Sequence, residues 1–174
     1  MMITGWARPA AIGDEDKKFE VLYRLLGDGQ TSRLVDRLVV REKLAGSVKI
    51  WSTTPGDKLS SEFAIFIDVF DAASYNKIEN IIQEELDRLA KEGPTENELK
   101  KIKNRYAAEL IQALQKNAGM ADALSYYDLL LGDYHRMFTA LEEIESVNAV
   151  QIQELIKKYF IPAQNTTVYI NPIQ

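Results

Sequence analysis

Ser47-Val48-Lys49-Ile50-Trp51-Ser52-Thr53, the turn Thr54-Pro55-Gly56-Asp57, and Ser61-Glu62-Phe63-Ala64-Ile65-Phe66-Ile67-Asp68-Val69-Phe70 decide the fold. Both arms alternate. Val48 and Ile50 share one face, with Lys49 and Trp51 on the other. Phe63, Ile65, Ile67 and Val69 share one face; Glu62, Ala64, Phe66 and Asp68 share the other, which is half polar. A period of two sends successive side chains to opposite sides of a sheet, and a Pro-Gly pair reverses the chain. The segment therefore reads as an antiparallel hairpin with one face packed against helices.

Upstream, Asp14 caps a helix with Phe19, Leu22, Tyr23 and Leu26 on one face. Gly27 reads as its left-handed C-terminal cap, and Gly29 permits a second unusual backbone angle. Thr31 or Ser32 caps another helix, which carries Leu34, Val35, Leu38 and Val39 and runs to about Lys43. Residues 3–9 form a short strand that Pro9 either ends or confines to an edge. Downstream, Ile78, Ile81, Ile82, Leu86 and Leu89 form a helical stripe that Gly93-Pro94 breaks. Thr95 and Glu98 make a capping box for a helix with Leu99, Ile102, Tyr106, Leu110 and Ala113 on one side. Continuous to Asn117, that helix is about 34 Å long. Gly119 interrupts it. Helices follow near residues 120–131, 137–146 and 149–160, the last capped by Asn148 with Gln151. Pro162 closes it, and residues 166–170 are a final strand. Few one-faced strands and many helices predict an α+β fold: a two-layer, mainly antiparallel sheet with helices packed on one face, with residues 1–174 as a single domain.

Composition removes several functions. The 174 residues include no Cys and one His. Disulfides, thiolate zinc sites, iron–sulfur clusters and a Cys nucleophile are excluded, as is any site needing two histidines from this chain. A Ser–His–Asp triad could be built only around His135. Net charge is −5, so a broad nucleic-acid footprint is not expected. No apolar run reaches the 18–20 or so residues that span a bilayer, so no membrane partner is expected. The first residues have neither the basic nor the apolar region of a signal peptide. A soluble chain is expected, with bacterial cytoplasm and periplasm both open as compartments. Residues 1–58 carry 10 basic and 8 acidic side chains, and residues 59–174 carry 11 and 18. Glu-rich solvated helix faces explain that imbalance.

Individual candidates weigh little. Residues 27–32 superficially suggest a phosphate loop, but they lack the G-K-[ST] ending and lie between helices. His135, with Asp133 adjacent and Asp128 two turns away, offers a weak metal or acid–base site; surface and packing histidines are commoner. Glu84-Glu85 and Glu142-Glu143-Glu145 fall on polar helix faces, where solvation is the default. Lys100, Lys101, Lys103 and Arg105 pair with Glu96, Glu98 and Glu109 along one helix. Tyr126, Tyr127 and Tyr134 cluster near a glycine, in core packing or at an interface.

Two blocks are more specific. Leu25-Leu26-Gly27-Asp28-Gly29-Gln30-Thr31-Ser32-Arg33-Leu34, followed by Leu38-Val39-Val40-Arg41-Glu42-Lys43-Leu44-Ala45, resembles the L-G-x-G-x-x-S-R-L…L-V-x-E-x-x-L-A block of the pitrilysin/insulinase family of zinc peptidases, which includes mitochondrial processing peptidase. Gly93-Pro94-Thr95-Glu96-Asn97-Glu98-Leu99 resembles the family's G-x-T-x-x-E-L helix start, and the match continues to the terminal strand. The family motif residues are Gly27, Gly29, Ser32, Arg33, Leu34 and Glu42. The resemblance implies the LuxS/processing-peptidase-like metallohydrolase fold and the C-terminal, non-zinc-binding domain of one half of such an enzyme. H-x-x-E-H is absent here. Zinc is then expected in a missing N-terminal domain, which Met1-Met2 is read as replacing, and this chain needs no cofactor and has no catalytic residue of its own.

In active relatives the partner half's C-terminal domain supplies an Arg and, seven positions on, a Tyr. Alignment on residues 38–45 puts Val39 and Gly46 there, so this domain is not expected to complete a zinc site in trans. The implied role is a non-catalytic wall of a peptide chamber. Its partners would be the missing domain, a second family half and a peptide substrate, and the uncovered chain could dimerise. Arg33 is expected to pair with Glu42 or Asp36. Two rivals remain: a scaffold module of an inactive homologue, as in respiratory complexes, and an independent enzyme centred on His135 and Asp133.

Overall fold

A computed structural model of the chain describes residues 1–171. Four strands, β1 (Met2–Arg8), β2 (Ala45–Thr54), β3 (Ser61–Val69) and β4 (Asn165–Tyr169), lie in the order β2-β3-β1-β4. Every neighbouring pair is antiparallel. The helices are α1 (Asp16–Gly27), α2 (Arg33–Val35) continued by a π-helical turn (Asp36–Arg41), α3 (Tyr75–Glu92), α4 (Glu96–Leu114), α5 (Asn117–Leu131), α6 (Arg136–Ser146) and α7 (Ala149–Tyr159). The fold is α+β, with helices layered on one face of the sheet.

The alternation seen in the sequence sets which face that is. Val48, Ile50, Phe63, Ile65 and Ile67 are buried with Met2, Thr4 and Trp6 of β1. Phe19, Leu22 and Leu26 of α1, Ile78, Ile82 and Leu89 of α3, and Ile152, Leu155 and Ile156 of α7 complete the core. Phe63 sits among rings, with its centroid 5.2 Å from Phe160 and 6.2 Å from Phe19. Burying a side chain of that size contributes about 2–3 kcal/mol. On the other face Lys49, Glu62 and Asp68 meet solvent.

β1 is an interior strand, not an edge, so Pro9 acts only to end it. Arg8 finishes the strand as a buried clamp. It donates to Asp16 at 3.0 Å and to the Ser52 carbonyl and hydroxyl at 3.0 and 2.7 Å, and lies 4.1 Å from the Phe19 ring centre. Four charge-assisted or cation–π contacts offset the cost of burying one guanidinium.

Local expectations fail where tertiary contact intervenes. Asp14 does not cap α1; the helix starts two residues later, after Glu15, with no side-chain cap. Gly27 is the last helical residue, not a left-handed cap. Its reason is space: a Cβ there would stand 2.6 Å from two carbons of the Ile50 side chain. Gly29, at φ +92°, does take the expected left-handed conformation. The helix after Thr95 stops at Leu114 instead of reaching Asn117. The chain turns at Gln115–Lys116, and Gly119 lies inside α5, where a Cβ would meet the Ala113 carbonyl oxygen at 2.2 Å. Both capping boxes, Thr95/Glu98 and Asn148/Gln151, form as the sequence predicts.

Gly27→Ala should destabilise the protein by about 1–3 kcal/mol through overpacking against Ile50. Urea denaturation would show it, and an unchanged midpoint would mean that α1 does not approach the sheet this closely.

Candidate functional site

The two motif blocks, far apart in sequence, meet in space. α1 ends at Gly27, and Gly29 turns the chain. Ser32 then donates its hydroxyl to the Gly29 carbonyl at 2.6 Å, closing the turn rather than capping the following helix. Leu34 points inward and is fully buried. Arg33 points the other way and grips Glu98 with two bonds, Nε to Oε1 at 2.8 Å and Nη2 to Oε2 at 2.9 Å. Glu98 also accepts the Thr95 main-chain N–H at 2.8 Å as part of its capping box. The first block is thereby bolted to the start of α4. The expected partners of Arg33 are engaged elsewhere: Asp36 with Arg41 at 2.7 Å and Glu42 with Lys77 at 2.7 Å.

Beside this bond lies Glu85, for which the sequence predicts a solvated position. Glu85 is only 2% exposed. It accepts from Arg37 at 3.1 Å and from Arg88 one turn along α3, and Arg33 Nη1 lies 3.8 Å away. Arg37 also bonds the exposed Glu84. The signal was present: Glu85 falls in the row Ile78, Ile82, Glu85, Leu89, the buried stripe of α3. A carboxylate in that row requires cations opposite, and the α2–π segment supplies them at four-residue spacing. The cluster borders an open concavity of about 770 Å³, lined also by Arg41, Glu84 and Glu92.

Burial alone would raise the Glu98 carboxyl, but the Arg33 fork and the two Thr95 bonds outweigh it and hold the group at about 2. The Lys77 ammonium, by hydrogen bond and charge, lowers Glu42 as well.

Val39 is half-buried in the π-helical turn and Gly46 lies exposed on β2. A Cβ at Gly46 would stand 3.3 Å from the Phe70 ring and 3.5 Å from Asp68 Oδ2, so a ring and a carboxylate flank this corner. Neither residue has a side-chain donor. His135 is exposed at the turn before α6 and stacks on Tyr134. Its Nδ1 and its main-chain N–H both meet Asp133 Oδ1 at 2.9 Å. Asp133 is held below the usual carboxylate range by the His135 main-chain N–H first, then by the ring. Tyr126 is not core: it is exposed and donates to Asp57 at 3.0 Å. The basic run on α4 pairs mostly outside its own helix, Lys103 with the Glu145 carbonyl at 2.6 Å and Arg105 with Asp28 at 3.0 Å.

Among the described residues no three His, Asp or Glu side chains converge to hold a metal. A lone exposed imidazole with one carboxylate does not fit zinc, which takes three or four protein ligands. Nor is any described helix long and apolar enough to cross a membrane.

Glu85→Ala should cost about 3 kcal/mol, because three guanidinium groups lose their shared carboxylate. Chemical denaturation measures it; a loss below a few tenths would mean that water replaces the carboxylate freely. Glu98 titrates lower in the folded than in the unfolded chain. Its contribution is therefore complete above about pH 4.5 and fades as pH falls towards 2. Glu98→Gln should flatten the stability profile in that window, and a profile unchanged by the substitution would refute the assignment.

The peptidase M16 inactive domain family matches residues 5–106. Zinc protease PqqE of Helicobacter pylori is 28% identical over 176 residues, covering 97% of this chain and 37% of the relative. The chain thus spans little more than a third of that curated relative. A protease structure from Helicobacter pylori superposes with TM-score 0.87 at 24% identity, over 98% of this chain and 41% of that one. An inactive peptidase domain from Bordetella parapertussis gives TM-score 0.81 at 20% identity, over 99% of this chain and 91% of that one. The resemblance carried by residues 25–45 and 93–99 is confirmed, and the chain belongs to the peptidase M16 inactive domain family.

Proposed function

We propose that this chain is one domain, the C-terminal supporting domain of a zinc metalloendopeptidase, and that the zinc site lies on a preceding domain. It walls part of a peptide-holding chamber that a second family half completes. The observation that carries this reading is the uncovered face of the sheet. Trp51 is 56% exposed there, with its ring 4.9 Å from that of Phe66. Phe66 stands opposite Ile3, and Ile3 opposite Val168. One apolar row therefore crosses β3, β1 and β4, with Trp51 of β2 packed against its Phe66 end, the two rings tilted by 48°. An apolar strip spanning a sheet is a docking surface, and in a two-layer fold a further domain is what covers it.

Val39 and Gly46 support the non-catalytic side of the reading. They stand where active relatives present Arg and Tyr, and neither can donate a side-chain hydrogen bond to a substrate peptide. Gly27, Gly29, Ser32, Arg33, Leu34 and Glu42 take structural roles: turn, ion pairs and core. The Arg33–Glu98 bond and the Glu85 cluster hold the helical layer stiff, as a wall requires.

The isolated chain should bind no stoichiometric zinc and hydrolyse no casein. The same chain extended by its upstream coding segment should bind one zinc ion, and should hydrolyse casein once the second family half is added. Trp51→Glu, which leaves the core untouched, should weaken association with the separately expressed upstream domain at least tenfold by calorimetry. Casein hydrolysis by the isolated chain would overturn the proposal. An extended protein without zinc would move it to the scaffold class.

A further inference from the structure

The two edges of the sheet are built differently. β2 is guarded: Lys49 projects from it, and its pairing with β3 slips at two irregularities, between Ala45 and Ser47 and between Trp51 and Thr54. Charges and bulges are what keep an edge strand from pairing with another chain. β4, at the opposite edge, has neither. No Lys, Arg, Asp, Glu or His occurs from Tyr159 to Asn171. Its pairing with β1 runs without a slip from Asn165 to Tyr169.

The direction of its free groups follows from the ladder. Met1 and Ile170 exchange both main-chain bonds, at 2.9 and 2.8 Å. Alternation then turns the N–H and C=O groups of Val168 and Thr166 towards β1, and those of Asn165, Thr167 and Tyr169 away from the sheet. Val168, Tyr169 and Ile170 are exposed.

We propose that β4 is a self-pairing edge. Two copies join antiparallel through it, about a two-fold axis at Thr167, into one continuous sheet with four strands from each copy. Thr167 faces its own counterpart, Asn165 faces Tyr169 and Thr166 faces Val168. About six main-chain hydrogen bonds form. A second copy is the occupant this strand fits. The interface is isologous, so each outward donor meets the acceptors of an identical strand in the second copy, and no charge lies on either strand to oppose contact. Pairing also carries the apolar row of Phe66, Ile3 and Val168 across the axis into its symmetry mate. A single short strand pair is a small interface, so association belongs to the weak class, with Kd on the order of 100 μM. The inference does not depend on the proposed peptidase role.

Sedimentation equilibrium from 1 μM to 1 mM tests it, on the order of the weak range above. The wild-type chain should pass from monomer to dimer. Thr166→Lys with Val168→Lys places cations on exposed, open-face positions, and should weaken association at least tenfold. Thr166→Glu with Val168→Glu should do the same, and an equimolar mixture of the two doubles should associate again. Thr167→Pro removes one outward N–H while leaving the ladder to β1, and should also give monomer. Each variant's far-UV circular dichroism should match wild type. A wild-type chain still monomeric at 1 mM, a dimer indifferent to both charged doubles, or a mixture that stays monomeric would overturn the proposal.

Discussion

The structure depends on how closely α1 lies on the sheet. Gly27 leaves no room for a β-carbon against Ile50, so the helix ends in direct contact with β2. At its other end Arg8 ties Asp16 to Ser52, fixing where the helix begins relative to the same strand. With both ends set, the turn at Gly29 has one place to go. Leu34 drops into the core and Arg33 is carried to Glu98. A larger residue at position 27 would lift the end of α1 and, with it, everything that the turn positions.

The ion cluster beyond that turn has a different task. A buried charge group is a poor source of net stability, since apolar residues of the same volume often serve as well. Its value lies in direction. Glu85 accepts from arginines on α3 and on the α2–π segment, and Arg33 reaches on to α4. A carboxylate with that many fixed donors tolerates little rotation, whereas an apolar contact would let the helices slide. The two motif blocks are thus one mechanical unit.

Period-two alternation and capping chemistry are legible in the sequence because they are local. The hairpin, the buried rows of α3, and the boxes at Thr95 and Asn148 follow from residues within a few positions of each other. Gly27 is a harder case. Its position beside a turn invites a backbone explanation, and only the neighbouring strand shows that the constraint is steric. Arg33 reaches 65 positions along the chain for its partner, past two nearer carboxylates that other cations hold. Glu85 is visible as a break in an apolar row, but beside Glu84 its residue type points to solvent, and only the arginines opposite explain its burial. The candidate site was therefore legible as motifs, while the bonds that unite them were not.

A two-layer α+β fold with helices on one side has an uncovered face by construction. In a self-sufficient domain that face is polar. Here it alternates between charge and grease: Lys49, Glu62 and Asp68 stand among Trp51, Phe66, Ile3 and Val168. Full burial would strand three charges, and full exposure would leave an apolar row in water. The compromise suits a surface covered along a strip, with its charged residues reaching solvent at the margins. Rigidity beneath is what makes such a surface useful, because a partner docked on a sheet that bends gains no fixed position. The clamp at Arg8, the contact at Gly27 and the cluster at Glu85 all stiffen the layer behind it. The stiffness of that layer and the apolar strip in front of it are then two sides of one arrangement.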